Sequence, residues 1–332
     1  ETPSARLLTF DGIPATLDAA GRAVLPPHDL KTVHVLAAEV DFPSGRQASR
    51  EIAYGGEYGS EVSTELTAVP LRVRGKLPPV RQLGGWLTSG GRPLYVAAVE
   101  EGPAQLYVVR SPGAFEALWG LGKPDKKQRV FRATDEWSYL TLAGRDSVRL
   151  VFPFSKRFAG SGDEEEAEKD LTDLFTISTD YHTRDRGLPL LLVTAAREVG
   201  PGRGSRLRFA DAVAVAGLEA TRENRRRAVL LVVSSQEKER SRYDPATVRR
   251  YLAALRVPLA VWCLGEPEPG SAAAAWGNVE VLKDEKDLER AFRALRETLD
   301  SQRIVMVDGR HLPQSIALTP KAAGVELVGG AP

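Results

Sequence analysis

The 332-residue chain has one cysteine, one methionine and four histidines, and each scarcity closes off a class of explanation. Cys263 has no second cysteine with which to form an intramolecular disulfide. It lies inside the apolar run VPLAVWCLG, where a reactive thiol is not expected. His28, His34, His182 and His311 are scattered and form neither H-x-x-x-H nor a Cys/His cluster, which argues against imidazole-based metal catalysis. No apolar run approaches the roughly 18 residues of a membrane-spanning helix. Charge of one sign is also missing. Lys plus Arg number 45 and Asp plus Glu 44, a net charge of +1, so overall charge draws the chain to neither nucleic acid nor an acidic membrane.

Catalytic signatures are equally sparse. No G-x-S-x-G elbow places a serine between strand and helix, and Ser161 sits in the charged stretch AGSGDE. The glycines of 200–205 have the spacing of neither a dinucleotide nor a P-loop motif and read as a connecting loop. Its Arg203, with Arg206 and Arg208, reads as solvated and basic, with contact to an acidic partner as the alternative. The acidic run Asp163 to Glu166 reads as a helix start, and Arg225 to Arg227 as snorkelling cations at the end of a sheet. What remains is ordinary globular composition (42% hydrophobic, 27% charged, 7% aromatic) in a length that suits about two domains.

The richest stretch runs from Arg227 to Gly265. Ala228 to Val233 is a continuous apolar run rich in β-branched residues, the mark of a strand buried on both faces in a parallel sheet. Asp244 then stands as an N-cap before Pro245, whose missing N–H costs nothing at the first helical position. Val248, Tyr251, Leu252 and Leu255 recur at helical spacing, and Val257 to Leu264 is a second apolar strand. Strand, helix and strand in this length predict a βαβ crossover in a parallel sheet.

Taken in order, LLTF near the start is a short strand. Leu36, Ala38, Val40 and Phe42 share one face, and Val62, Thr64 and Leu66 alternate inward against Glu61, Ser63 and Glu65. Gly84, Gly85, Gly90 and Gly91 break the chain around Trp86, and Leu94, Val96 and Ala98 alternate again. The absence of a helical stripe here predicts an all-β sandwich-like domain over 1–103. AQLYVVR from Ala104 and SVRLVFPF over 147–154 read as strands, Ala114 to Leu121 and 163–178 as helices, and LPLLLV over 188–193 as a strand or a buried helical turn. Phe209 to Thr221 reads as a buried helix carrying Phe209, Val213, Ala216, Leu218 and Ala220. After a Pro/Gly/Ala loop (266–275) come a strand over Val279 to Leu282 and a helix begun by Asp284 or Asp287, with Leu288, Phe292, Leu295 and Leu299 on one face. RIVMV (303–307) reads as the last strand of an α/β domain over 104–309, followed by a tail over 310–332.

The order of AQLYVVRSPGA, RDSVRLVFPFS, FADAVAVAGLEA, RRRAVLLVVSSQ, RVPLAVWCLG and DLERAFRALRETLDSQRIVMV resembles the von Willebrand factor A (VWA) family. It is most similar to a VWA-related group in exported bacterial proteins, where a β domain precedes the A domain. The resemblance implies a Rossmann-like, mostly parallel central sheet and an extracytoplasmic location, which the non-Met start at Glu1 suits. It also implies a divalent metal at the strand ends, held by an Asp-x-Ser-x-Ser loop, a Thr and an Asp. Those positions here fall on Arg110, Pro112 and Ala114, on Leu207, and on Ser235, a set unable to hold a hard cation.

The expectation is therefore a non-enzymatic protein-interaction or structural subunit with a degenerate metal site and no cofactor. A metal-dependent adhesion module with an unconventional site, or an enzyme whose residues meet only in the fold, stand as alternatives. Another protein is the expected partner, met at the carboxyl-end face of the sheet through Arg110, Ser111, Arg208, Ser235, Gln236, Glu237, Lys238 and Glu239. There Arg110 would offer a partner carboxylate a fixed cation, unless an acid of the 236–242 loop neutralises it internally.

Overall fold

The computed structural model describes residues 4–11, 13–16, 18, 33–41, 47–55, 66–113, 140–154, 175, 177–183, 187–188 and 206–329. The helix expected at 114–121, most of that expected at 163–178, the apolar run 189–193, the glycine-rich loop 200–205, Phe42 and the alternation over 61–65 lie outside the described residues. The described end of 163–178 is not helical, Ile177 forming a bridge to Val151 instead. The chain divides into two units: Glu1–Glu101 with Gln302–Leu327, and Gly102–Ser301 with Val328–Pro332.

The first unit is β-rich. Strands β1 (Ser4–Phe10), β2 (Ile13–Pro14), β3 (Val33–Asp41) and β4 (Gln47–Gly55) form an antiparallel sheet in the order β2-β1-β3-β4. Then follow β5 (Leu66–Val73), β6 (Leu87–Ser89), β7 (Arg92–Pro93) and β8 (Val96–Glu100). The β6–β7 hairpin turns through Gly90 and Gly91, both at positive φ, the backbone that a two-residue hairpin loop of this hand requires. Leu94, Val96 and Ala98 are buried as their alternation predicts, whereas Leu66 is exposed.

The second unit is α/β. Its strands are β9 (Ala104–Arg110), β10 (Ser147–Val151), β11 (Arg226–Ser234), β12 (Leu259–Leu264) and β13 (Glu280–Leu282). They form a five-stranded parallel sheet in the order β10-β9-β11-β12-β13. Beyond β10, antiparallel bridges join Val148 to Tyr181 and Val151 to Ile177.

Helix α1 (Phe209–Ala220), α2 (Pro245–Ala254), α3 (Ala272–Trp276) and α4 (Glu285–Asp300) cover the sheet. Because side chains alternate along a strand, each central strand feeds two cores. Leu106, Val108, Leu230, Val232, Trp262 and Leu264 pack with α4, whose Leu288, Phe292, Leu295 and Leu299 are buried as predicted. Tyr107, Val109, Val229, Leu231, Val233 and Cys263 pack with α1, α2 and α3. The α1–α2 contact is close enough that a Cβ on Gly217 would come within 2.7 Å of Leu252.

The predicted Asp244 cap is present, its carboxylate accepting the Thr247 N–H, with Pro245 opening α2. Two stripe residues face outward instead: Tyr251 on α2 and Leu218 on α1 are exposed. Within 266–275, read as a loop, α3 forms behind a Ser271 cap that accepts the Ala274 N–H.

The largest difference from expectation concerns RIVMV. It forms β14 (Gln302–Asp308), which lies between β5 and β8 and pairs antiparallel with both, in the β-rich unit. Val305 and Val307 enter one core there, Ile304 and Met306 another. That two-sided burial is why the strand is apolar throughout, a pattern shared with parallel strands. The supposed tail adds β15 (Ile316–Leu318) against β6 and β16 (Val325–Leu327) against β5. Among the described residues no helix is long and apolar enough to cross a membrane.

Candidate functional site

Strand β9 has β10 on one side and β11 on the other, so the connection that leaves the carboxyl end of β9, toward β10, and the one that leaves β11, toward β12, run in opposite directions. In open α/β sheets this reversal opens a crevice just beyond the strand ends. Here its floor is Arg110 and Ser111 at the end of β9, and Ser234 and Ser235 at the end of β11. The Ser111 N–H bonds the Val232 carbonyl at 2.9 Å, which fixes the rim of β9 against β11.

The chain fills this crevice itself. One oxygen of Glu237 accepts the Gly113 N–H at 3.0 Å and the other accepts the Ser234 N–H at 3.1 Å, so a single carboxylate spans the two strand ends. Gly113 makes the approach possible, since a Cβ there would lie 3.1 Å from both Glu237 Oε1 and Ser234 Oγ. Beneath sits Arg110, only 2% exposed. Burial lowers the pKa of its guanidinium, the negative charge of Glu237 opposes that shift, and the outcome is about 10, so the group stays cationic at neutral pH. Glu237, an acid of the 236–242 loop, is thus the negative charge that bears on Arg110. Arg110 and Ser111 are buried rather than offered to solvent.

The next acid in the loop closes a second position. Helix α1 begins at Phe209 after Arg208, whose side chain does not cap it. Glu239 supplies the cap from 30 residues away, accepting the Phe209 and Ala210 N–H groups at 3.1 and 3.2 Å. It also accepts the Ser241 hydroxyl at 2.6 Å. An anionic group at a helix start both satisfies orphan donors and meets the positive end of the dipole. Asp211, in the first turn of α1, reaches the other way and accepts the Arg242 N–H at 3.0 Å and the Tyr243 N–H at 3.2 Å. Arg208 donates to Asp211 at 2.8 Å and lies over the Phe175 ring at 5.2 Å.

Backbone bonds complete the attachment, from Arg240 N–H to the Leu207 carbonyl and from Ala272 N–H to the Glu237 carbonyl. The segment 236–243 is therefore an irregular strip tied down at most of its residues, and burial alternates along it. Glu237, Glu239 and Ser241 turn inward and are half-buried, while Gln236, Lys238, Arg240 and Arg242 are exposed.

The residues at the positions implied by the VWA resemblance do not fit a divalent cation. Arg110 carries the wrong charge, while Pro112 and Leu207 bring no side-chain oxygen, which leaves the Ser235 hydroxyl. Ala114 lies outside the described residues. The nearby carboxylates of Glu237, Glu239 and Asp211 are spent on backbone N–H groups. Among the described residues no group of three or more His, Cys, Asp or Glu side chains is arranged to hold a metal ion.

Of the sequence-predicted residues, the fold brings Arg110, Ser111, Ser235 and Glu237 together at the crevice and sets Arg208 and Glu239 at the start of α1, with Gln236 and Lys238 on the outside. Sequence reasoning missed Gly113, Asp211 and Tyr243, and had Arg240, Ser241 and Arg242 only as members of the 236–242 loop. The alternation of acid and base in EKERSR was the available signal.

No protein-family model matches the sequence, and no curated protein matches it. Among solved structures the chain is similar to proximal thread matrix protein 1 from the mussel byssus, with 12% identity and a TM-score of 0.35, over 68% of this chain and 49% of that one. A second crystal form of the same protein gives 13% identity and a TM-score of 0.34, over 61% and 47% of the two chains. The chain thus spans about half the length of the structures it matches.

Proposed function

We propose that this protein is a non-enzymatic interaction or structural subunit of an extracytoplasmic complex, making contact through the carboxyl-end face of its α/β sheet. The observation that carries this reading is the carboxylate of Glu237 lying across the strand ends. The crevice that open α/β sheets use for small ligands is occupied by the chain's own side chain, and what the face presents is the outer side of the strip 236–243. A strip already held by backbone bonds gives up little conformational freedom when a partner docks, which favours macromolecular recognition.

The VWA resemblance supports the same reading in its metal-free form. Its metal-ligand positions carry Arg110, Pro112, Ala114, Leu207 and Ser235, so recognition here runs through protein groups alone. The test is co-purification of tagged full-length protein from extract of its native source, comparing wild type with a Gln236→Ala, Lys238→Ala, Arg240→Ala variant. Loss of a specific partner band from the variant is expected. Unchanged recovery, with circular dichroism intact, would move the interface to another surface.

A further inference from the structure

Charge on the strip 236–243 is sorted by side. Its acids, Glu237 and Glu239, point inward and are consumed by the N–H groups of Gly113, Ser234, Phe209 and Ala210. Asp211 is consumed likewise by Arg242 N–H, Tyr243 N–H and Arg208. Its bases point outward. Lys238, Arg240 and Arg242 are exposed, and so is Arg206, next to Leu207, whose carbonyl holds the Arg240 N–H.

None of these four cations forms an ion pair among the described residues. Elsewhere in the same unit several exposed cations are answered, Arg222 by Glu219, Arg225 by Glu223, Arg290 by Glu280 and Asp287, Arg296 by Asp300, and Lys283 by Glu266, while others such as Lys286 and Arg293 stand singly rather than in a cluster of four. Beside the four stands Tyr243, 53% exposed, with the Arg242 guanidinium 5.9 Å from its ring centre. Rigid backbone, arginine and an exposed tyrosine are the ingredients of an interface hot spot.

On the reading above that this face docks a partner, we infer that the partner presents an acidic peptide segment, its carboxylates engaged by Arg206, Lys238, Arg240 and Arg242 with Tyr243 as the aromatic anchor. Guanidinium forks match carboxylates bidentately. A nucleic-acid backbone is the poorer fit, because it calls for an extended basic stripe on a basic domain. Here the cations occupy one short strip of a chain with net charge +1.

The probe is a fluorescein-labelled decapeptide of glutamate, titrated into the full-length protein by fluorescence anisotropy at low and at physiological salt. A decapeptide of glutamine, a heparin fragment and a single-stranded oligonucleotide of equal charge are run alongside. Saturable glutamate-peptide binding is expected, at least tenfold tighter than for the other three probes and at least tenfold weaker in the Arg240→Glu, Arg242→Glu variant. The Lys286→Glu, Arg293→Glu variant of α4 makes the same charge change elsewhere and should bind as wild type.

Equal binding of glutamate and glutamine peptides, or tighter binding of heparin or DNA, overturns the inference. So does binding that emerges only after Asp163, Glu164, Glu165 and Glu166 are neutralised, which would name the chain's own acidic run as the occupant. Failure of the peptide while the co-purification variant still loses its partner would overturn the acidic segment alone. Failure of both would overturn the docking face itself.

Discussion

The two units solve the same problem, burying strands on both faces, with opposite use of the chain. In the α/β unit consecutive elements are spatial neighbours: β11 leads through α2 to β12, and the two strands pair in parallel along most of their length. In the β-rich unit the central strand is imported from far downstream. Strand β14 pairs residue for residue with β5, and just past its end the Thr67 hydroxyl holds the Gly309 carbonyl, 242 residues along the chain. The α/β unit is written almost in one piece, Gly102–Ser301 with only Val328–Pro332 added at the end; the β-rich unit is interrupted by those 200 residues. Contiguous units keep their stabilising contacts local, and an interrupted one depends on a segment that says nothing by itself about where it belongs.

The largest expected effect separates two fragments. A 102–301 protein contains the whole parallel sheet with its helices and should be soluble, with a cooperative melt. A 104–309 protein adds β14 without β5 or β8 and leaves Ile304, Val305, Met306 and Val307 without their cores, so it should aggregate on size-exclusion chromatography. The reverse ranking would return β14 to the α/β unit.

Next, Ile304→Ala should cost the β-rich unit about 2–5 kcal/mol and leave the melt of the α/β unit in place, and Leu231→Ala should do the opposite. A single transition moved equally by both would mean that the units unfold as one.

A change of about 1–3 kcal/mol is expected from Glu237→Gln, the range for leaving a backbone donor without its partner. It removes the charge facing Arg110 and turns an amide N–H toward the Gly113 or Ser234 donor. Urea unfolding followed at the α/β transition measures it, and adding Arg110→Met should restore much of the loss. No restoration would mean that Glu237 acts through its backbone bonds alone.

The smallest effect is a pH slope. Burial pushes the Cys263 thiol up to about 11, from an ordinary 9.0, with Glu266 and Glu237 adding to the shift. Between those values the unfolded chain ionises first, so stability is full below pH 9 and falls as pH rises toward 11. Arg110 and Arg227, both lowered to about 10 by burial, pull the other way and begin to lose their protons within the same range, so the thiol is read from the difference between wild type and a variant lacking it. Cys263→Val should flatten the slope there, and an unchanged slope would assign it to another group.

Where local chemistry decides the structure, the sequence was readable. Ala228 to Val233 can only be a strand buried on both faces, and Asp244-Pro245 can only open a helix, so the βαβ unit and its sheet followed. The apolar positions of α4 identified its buried face for the same reason. RIVMV was assigned to the wrong sheet because two-sided burial looks alike in parallel and antiparallel surroundings, and nothing within five residues encodes a partner over 200 residues upstream. At the site, Glu237, Lys238 and Glu239 were read together as exposed loop charge. Their alternating burial separates them, the two acids half-buried and Lys238 exposed, within a segment that is indeed irregular. The trans cap by Glu239 had no local signal, since Phe209 and its carboxylate partner meet only when the fold closes.

The central place of β14 has a consequence for the order of synthesis. Strands β5 and β8 are translated well before the strand that joins them, with the 200 residues of Gly102–Ser301 in between. At translation rates of about 5–20 residues per second, that is a wait of roughly 10–40 s. Throughout it two strand edges stand open beside each other, the condition under which edges find wrong partners. The α/β unit has every described strand and helix it needs before β14 emerges. The part of the protein begun second thus has its sheet and helices complete first, and the next residue to emerge, Gln302, opens the strand that joins β5 to β8.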